Sequence, residues 1–565
     1  MFRRTGAQII VELLERQGVR VIAGIPGGCN LPMYDALSQS TRIRHVLARH
    51  EQGAGFIAQG WARASGEVGV CFATSGPGAT NVLTAVADAK LDSVPLVCIT
   101  GQVPLALIGT DAFQEVDTYG MSLPVTKHNY LVRSAAELLE VIPEAFRLAA
   151  SGRPGPVLID VPKDVQTQVV EFAAWPAPGT PDVRSPVDTS AIERAAAMIN
   201  AARKPVLYLG GGIIASPGAA ALARELAERA SLPTTMTLMG LGAIPVDHRL
   251  SLGMLGMHAA MFTNLVLDDC DLLIALGARF DDRATGKVAA FCPRAQVVHI
   301  DIDASELGKI KMPHVSIAAD VGRALEALLP RVARADRSAW LASVRDLREQ
   351  HPMEMPGSDD VSKPYGLIRE VASLLDDSAI VTTDVGQHQM FTAQAYPFRR
   401  PRQLLTSGGL GTMGFGLPAA IGAALAEPDR TVVCFSGDGS LLMNIQELVT
   451  AAELGVNVKV IVMDNRSLGL VHQQQDLFYG QRLFACDFER AVDFVQVARG
   501  FGVRAVTLAG SDDPRTLLAE ALNRRGPCLI HAPIETTEKV FPMVPPGAAN
   551  RDMITQRSSH AGATL

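Results

Sequence analysis

Short apolar runs that stop at glycine or a polar turn alternate along this chain with stretches of helical spacing. Segment 431–436 (TVVCFS) is a β-rich apolar run ending at glycine, and 458–463 (VKVIVM) is a second. Between them Leu441, Ile445, Leu448 and Ala452 recur at a helical interval, which predicts one helix over 441–454. Strand, helix, strand predicts a right-handed βαβ crossover. The same pattern predicts strands at 20–25, 43–48, 68–73 and 95–100, at 205–209, 271–276 and 296–301, and at 379–383, 431–436, 458–463 and 528–532. Strands apolar on both faces and alternating with helices belong to parallel sheets covered on two sides. The expected class is α/β, with three consecutive domains, each a mostly parallel sheet flanked by helices.

Two stretches break the alternation. Residues 172–190 (FAAWPAPGTPDVRSPVDTS) and 352–364 (PMEMPGSDDVSKP) lack periodicity and read as surface connections. They divide the chain into domains at 1–171, 190–350 and 365–540, followed by a tail at 541–565. A length of 565 residues accommodates this, since it corresponds to roughly three to four domains. The first and third domains share a rough plan.

Composition narrows the class. A net charge of −7 argues against a nucleic-acid surface. No apolar run is long enough to span a bilayer, and the opening MFRRTGAQII has no secretory apolar stretch before an early helix. The eight cysteines form no CxxC pair, and Cys71, Cys98 and Cys434 fall inside strand-like runs. A cytoplasmic, reducing location is expected, without a disulfide framework or zinc site.

Candidate chemistry begins at Gly437-Asp438-Gly439-Ser440, answered by Asp464-Asn465 after the next strand. The crossover places Asp438 and Asn465 at the carboxyl ends of two parallel strands, where open α/β sheets bind ligands. One carboxylate and one amide oxygen suit a hard cation such as magnesium. The flanking glycines let a diphosphate approach the backbone. The bland reading is a βαβ unit whose glycines only make turns. In the first domain Glu51 opens a helix after a strand, where a glutamate alone does no more than compensate the helix dipole. TSGPGATN (74–81) joins strand to helix, and Phe113 and Gln114 lie in an irregular stretch, where functional side chains concentrate. In the middle domain Gly210-Gly211-Gly212 follows a strand, then come GMLGMH (253–258), GARFDDR (277–283) and HIDID (299–303). Glycine-rich turns and an acid at a strand end suggest a dinucleotide, although no clean GxGxxG is present.

The GDG run followed by an asparagine resembles the cofactor motif of thiamin-diphosphate enzymes, where the pair is usually NN rather than DN. Further strings extend the resemblance over almost the whole chain: GIPGG (24–28), RHEQGAGF (49–56), SGPGATN (75–81), GTDAFQEVD (109–117), RPGPVLIDVPKD (153–164), GARFDDR (277–283), DVGQHQM (384–390), GGLGTMGFGLPAA (408–420) and VPPGAAN (544–550). Together they resemble the large catalytic subunit of acetohydroxyacid synthase, also called acetolactate synthase, in its isozyme I-like form. The resemblance implies a thiamin-diphosphate-binding fold with a central FAD-binding Rossmann-like domain. It implies an enzyme of branched-chain amino-acid biosynthesis that decarboxylates pyruvate and ligates the hydroxyethyl unit to a second 2-ketoacid. Pyruvate gives acetolactate and 2-ketobutyrate gives acetohydroxybutyrate.

The resemblance also assigns residues. Glu51 faces a pyrimidine nitrogen of thiamin diphosphate, Gly411 receives the amino group on its carbonyl, Met413 props the bent cofactor, and Gln114 stands near the reacting oxygens. Gly386, Gln387, His388, Gly437, Asp438, Gly439, Ser440, Met443 and Asn465 complete the thiamin diphosphate set, with Asp438, Asn465 and the carbonyl of Ser467 on Mg2+. His388 also admits a plain structural role. A non-redox FAD is implied at Arg153, Gly210, Gly211, Gly212, Leu255, Gly256, Met257, His258, Gly277, Arg279, Asp281, Arg283, Asp301 and Asp320. The substrate set is Gly28, Phe113, Lys163, Arg283, Leu470 and Gln474. Arg283 suits a substrate carboxylate, its alternative being a salt bridge to Asp281 or Asp282. A homodimer or homotetramer and a small regulatory subunit are implied as partners, since each family active site joins the first domain of one subunit to the third of another.

Some positions depart from the family. Gln474 stands where most members carry tryptophan, Leu470 where methionine is frequent, Cys29 where a small apolar residue is usual, and Leu105 and Ala106 where arginines are common. Loss of the tryptophan predicts a weak preference for 2-ketobutyrate. The competing readings are an FAD-containing pyruvate oxidase or decarboxylase, a catalytically silent regulatory homologue, and a Rossmann dehydrogenase, which does not account for Glu51 with Asp438 and Asn465.

Overall fold

Every apolar run expected as a strand lies in a sheet in the computed structural model, which describes residues 1–182 and 186–555. The first sheet runs Arg44–Leu47, Val21–Gly24, Gly69–Ala73, Leu96–Gln102, Pro156–Pro162, His128–Leu131, parallel throughout. The third runs Leu404–Leu405, Ile380–Thr383, Val432–Gly437, Val458–Asp464, Cys528–Pro533, Arg504–Thr507, also parallel. Numbered in chain order within its own sheet, each is ordered 2-1-3-4-6-5, so the rough plan shared by the two is one topology. The middle sheet runs Ser251–Met254, Thr234–Met236, Pro205–Leu209, Leu272–Leu276, Gln296–Asp301, Val315–Ala318. Its order, 3-2-1-4-5-6, is that of doubly wound dinucleotide-binding sheets. An antiparallel pair, Phe2–Thr5 with Val169–Phe172, closes the first domain.

The strands missing from the apolar pattern have physical reasons to be missed. His128–Leu131, Ser251–Met254, Val315–Ala318 and Arg504–Thr507 are sheet edges, short and partly polar, and the edge strand Leu404–Leu405 is only two residues long. Pro156–Pro162 is central and buried, but a proline at each end makes it read as a loop. The single helix expected over 441–454 is two, Asp438–Leu441 and Glu447–Leu454. The break is filled by tertiary bonds. The Asn444 amide donates to the Gly414 carbonyl at 2.8 Å and to Gln52 Oε1 at 2.9 Å, and the Glu447 carboxylate accepts from the amides of Arg49 and His50 at 2.9 and 3.1 Å.

The stretch expected as a surface connection at 172–190 partly docks onto the first domain. Trp175 packs on Phe2 and Phe172, and Asp182 pairs with Arg147 at 2.6 Å. Residues 183–185 of that stretch and 556–565 of the expected tail lie outside the described residues. The tail before residue 556 is not separate. Its Val544 amide donates to the Met257 carbonyl at 3.0 Å and Asn550 to the Ala284 carbonyl at 2.8 Å, fastening it to the middle domain.

The third domain packs against both others. One buried cluster joins Leu207 and Ile300 of the middle sheet to Val381 and Val433 of the third, and another joins Ala23 and Ile57 of the first domain to Ile421 and Val432. Helix Glu51–Ser65 lies on helix Gly416–Ala426 so closely that a Cβ on Gly60 would sit 2.1 Å from the Ala419 carbonyl oxygen, and one on Gly422 1.9 Å from that of Ile57. Overpacking between rigid backbones has no inexpensive relief. Gly422→Val is expected to lower the thermal unfolding midpoint by roughly 5 °C or more, and an unchanged midpoint in calorimetry would show that the helices can part freely.

Candidate active site

At the carboxyl ends of the third sheet, strand Val432–Gly437 delivers Asp438 and strand Val458–Asp464 delivers Asn465. Asp438 is buried and its carboxyl is pushed up to about 7 by that burial and by the charge of Asp464. Burial also works against ionised Asp464, but His531 (Nε2 to Oδ2 3.0 Å) and the Arg466 amide (3.0 Å) hold its pKa below the ordinary carboxylate range. The DN pair is therefore accommodated by a local histidine, with Asp464 bonded to His531 on one side and facing Asp438 on the other. Asn465 Oδ1 accepts from the Ser467 amide at 3.1 Å, so Asp438, Asn465 and Ser467 are gathered on neighbouring loops. A buried acid under like-charge pressure is a place where a divalent cation fits.

Beside it, helix Gln387–Ala395 begins at Gly386. The imidazole of His388 is buried against Gly386 and Gly437, where an added Cβ would come within 2.8 Å of the ring. Burial lowers its pKa to about 3, and its Nε2 has no hydrogen-bond partner among the described residues. A buried ring nitrogen without a partner, beside two glycines that permit close backbone approach, suits a polar group such as a diphosphate. Gln387 is fixed by Gln473 at 2.9 Å and the Glu538 carbonyl at 3.0 Å, and Ser440 Oγ donates to the Val385 carbonyl at 2.7 Å. Met443 is exposed.

The loop bearing Gly411 and Met413 is held from two sides. Asp384, buried and raised to about 6 by that burial, accepts from the Gly414 amide at 2.8 Å. From the first domain, Asp92 accepts from the amides of Gly408 and Gly409 at 3.0 and 2.7 Å, and Asp88 accepts from Thr412 Oγ1 at 3.0 Å and from Ser407. Buried Arg63 ties Asp88 and Asp92 together at 3.2 and 2.8 Å. Gly411 makes a left-handed turn at φ +69 and is exposed.

A separate group forms on the first domain. His50 caps helix Glu51–Ser65, and half-buried Glu51 accepts from the Asn81 amide at 3.0 Å on the next helix. Gly76, at φ +57, packs under Gln114, itself at φ +59. Phe113 is 87% exposed. Gly28 has open space beside it, and half-buried Lys163 starts a short helix.

A cleft of ≈ 1560 Å³ opens at the strand-order switch point of the middle sheet and is lined by residues of all three domains. Gly210, Gly211, Gly212 and Gly277 form its floor. A Cβ on Gly210 would lie 2.1 Å from the Gly277 carbonyl, so only glycine permits this crossing. Leu255, Met257, buried His258, Arg279, Asp281, Asp301, Asp320 and Arg153 line it. Gly256, at φ +92, turns the chain between Leu255 and Met257. Asp301 ends its strand and is raised to about 6, chiefly by burial. Asp281 and Asp320 cap the helices after them, and Arg153 bonds Glu306 at 2.8 Å and Asp303 at 3.2 Å. Arg283 makes a long exposed pair with Asp282 at 3.8 Å and donates to Met257 Sδ at 3.9 Å, both weak contacts at an exposed guanidinium. Arg283, Leu470, Gln474 and Gly411 reach this same cleft. Glu51, Gly28, Phe113, Gln114 and Lys163 lie outside its lining.

Comparison with known proteins matches the chain to three family models: Thiamine pyrophosphate enzyme, N-terminal TPP binding domain over 4–121, central domain over 192–328, and C-terminal TPP binding domain over 384–532. It is 62% identical over 552 residues to the acetolactate synthase isozyme 1 large subunit of Escherichia coli, covering 98% of each chain. The chain belongs to the acetolactate synthase large subunits. Identity is 46% over 553 residues to isozyme 2 of Escherichia coli (98% and 100% covered) and 45% over 578 residues to acetolactate synthase 1, chloroplastic, of Nicotiana tabacum (99% and 86% covered).

Within this acetolactate synthase family fold, sequence reasoning missed the residues that position the site. Asp88, Asp92 and Arg63 lie on ordinary-looking helices, and nothing in their spacing shows that they hold a loop more than 300 residues away. Gln473, fully buried, bonds Gln387, Val540 and Met543, while its neighbour Gln474 is exposed to the cleft. In QQQ (473–475) only helical phase separates the two roles.

Proposed function

We propose that the chain is the catalytic subunit of an acetolactate synthase that joins two 2-ketoacids, pyruvate with pyruvate or with 2-ketobutyrate. The observation that supports this most is the buried acid Asp438 beside Asn465, with the His388 ring packed against Gly386 and Gly437. Thiamin diphosphate, when bound, supplies the electron sink that 2-ketoacid decarboxylation requires. Asp438, Asn465 and the Ser467 carbonyl hold Mg2+, and Gly386, Gln387, His388, Gly437, Gly439 and Ser440 face the diphosphate. Glu51 holds a proton at the pyrimidine nitrogen, the Gly411 carbonyl accepts from the pyrimidine amino group, and Met413 and Met443 fill the apolar wall beside it. Arg283 binds the second substrate's carboxylate and Gln114 orients the reacting oxygens, with Gly28, Phe113, Lys163, Leu470 and Gln474 enclosing them.

The middle cleft would take FAD as a structural group, with the Gly210 turn and Asp301 among the residues that would hold it. Glu51 lies outside the cleft that Gly411 and Gln474 line, which favours a site completed by a second copy of the chain. Exposed Phe113, Leu410, Leu442 and Met443 are apolar surface that such a partner covers. Being a large subunit, the chain also takes a small regulatory subunit. Among the described residues no helix is long and apolar enough to cross a membrane. Cysteines left as free thiols suit the reducing cytoplasm.

The test is product formation from pyruvate with Mg2+, thiamin diphosphate and FAD, with and without 2-ketobutyrate. Acetolactate without oxygen uptake is expected; oxygen-dependent turnover would make the chain an oxidase instead. Because Gln474 is a polar, exposed wall, the preference for 2-ketobutyrate should be weak. One methylene in an apolar pocket contributes about 1–3 kcal/mol, so Gln474→Trp should raise that preference about tenfold or more. A parent enzyme already preferring 2-ketobutyrate by tens-fold would remove this role from Gln474.

A further inference from the structure

One constellation is left over from these roles. Helix Gly469–Phe478 presents His472 to the loop at 485–487. His472 Nδ1 lies 2.9 Å from Asp487 Oδ1 and 3.9 Å from Cys486 Sγ, and the three atoms all fall within 4.8 Å of one another. Ligand atoms around tetrahedral zinc stand about 3.3–3.8 Å apart, given Zn–N of about 2.0 Å and Zn–S of about 2.3 Å. The separations of 2.9 and 3.9 Å from the imidazole nitrogen lie on either side of that range.

The backbone carrying these groups is already fixed. The Cys486 carbonyl accepts from the Leu468 amide at 2.7 Å and from Ser467 Oγ at 3.0 Å, and the Phe488 amide donates to the Arg466 carbonyl at 2.8 Å. At the other side Gln475 makes two bonds to the backbone of Phe484, at 3.0 and 2.8 Å. Preorganisation of this kind lowers the cost of collecting ligands. A His472–Asp487 ion pair alone does not use the sulfur, which is buried beside the imidazole while Asp487 stays open to water.

We propose that His472, Cys486 and Asp487 bind a thiophilic divalent ion of the zinc class, with water in the fourth position, and that the ion staples helix Gly469–Phe478 to the loop at 485–487. Thiolate and imidazole select zinc, cobalt or copper over magnesium, so this site and the Asp438 site take different ions. Binding breaks the S–H bond and releases its proton to solvent as the metal–sulfur bond forms. The stapled helix carries Leu470 and Gln474, and the ion therefore stiffens one wall of the cleft. The inference stands apart from the thiamin diphosphate assignments.

The experiment uses the full chain with its cofactors and saturating Mg2+, stripped of transition metals by a mild chelator and titrated with Co2+. An intense near-ultraviolet thiolate-to-cobalt band saturating at one equivalent per chain is expected, displaced by Zn2+. It should vanish in Cys486→Ser and His472→Gln and persist in Cys29→Ser. In Asp487→Ala, which keeps the thiolate, affinity should fall about tenfold or more. Zn2+ should slow amide exchange in 469–478 in the parent and not in Cys486→Ser. No charge-transfer band at stoichiometric Co2+, a band surviving both ligand variants, or a band lost in Cys29→Ser would each overturn the site. Should Cys486→Ser fail to fold, His472→Gln and Asp487→Ala decide the matter.

Discussion

Glu51→Gln is expected to abolish carboligation, lowering kcat about 10²–10⁴-fold as loss of a positioned proton-transfer group does, while leaving the fold intact. Glu51 opens its helix half-exposed, with one hydrogen bond from Asn81, so glutamine keeps the shape and the partner and removes only the carboxylate. Were its role mere compensation of the helix dipole, the loss would be about 0.3–1 kcal/mol of stability and no catalysis. The variant also tests how the site is assembled. Glu51 and Asp438 stand on different domains, and Glu51 does not line the cleft reached by Gly411. If each site joins the first domain of one copy to the third of another, mixing Glu51→Gln with Asp438→Ala chains restores activity. Each mixed dimer holds one of its two sites free of both changes, so isolated mixed dimers regain about one half of the parental activity, as two-fold symmetry dictates. Sites built within one chain return none. Activity is read after co-expression and separation by two affinity tags.

The architecture was largely legible because parallel strands buried on both faces advertise themselves as unbroken apolar runs. Edge strands such as Val315–Ala318 did not, since half their positions face water. The break after Leu441 was invisible because its cause lies far off in sequence. Asn444 and Glu447 satisfy Gly414, Gln52, Arg49 and His50 instead of continuing a helix whose apolar spacing was sound. The glycine motifs at 210–212 and 386–388 could be read locally, because close backbone approach is a property of the glycines themselves. The residues supporting them could not. Arg63 with Asp88 and Asp92, or Gln473 with Val540, act only through contacts the fold creates.

Asp438→Ala should weaken the combined binding of Mg2+ and thiamin diphosphate by about 100-fold or more, beyond the 10–100-fold typical for loss of a mere supporting group. The acid is buried at the end of strand Val432–Gly437 and raised to about 7 by burial and by Asp464, so its charge is costly until a cation shares it. Removing it removes the one anionic ligand and leaves Asn465 and a backbone carbonyl, too few for a hard divalent ion. The measurement is the rise in unfolding temperature when Mg2+ and thiamin diphosphate are added together. Ligand at 100 times its dissociation constant stabilises by about 2.7 kcal/mol, and a 100-fold loss of affinity reduces this to about 0.4 kcal/mol. FAD stabilisation should persist, because Asp438 does not line the middle cleft. Asp464→Asn is the informative contrast. It restores the commoner asparagine pair but loses the charge that His531 and the Arg466 amide hold, and since those bonds anchor Asp464, affinity should change by less than about tenfold, or 1.4 kcal/mol. Equal losses in the two variants would mean that both carboxylates hold the ion, and the role of Asn465 would pass to its neighbour.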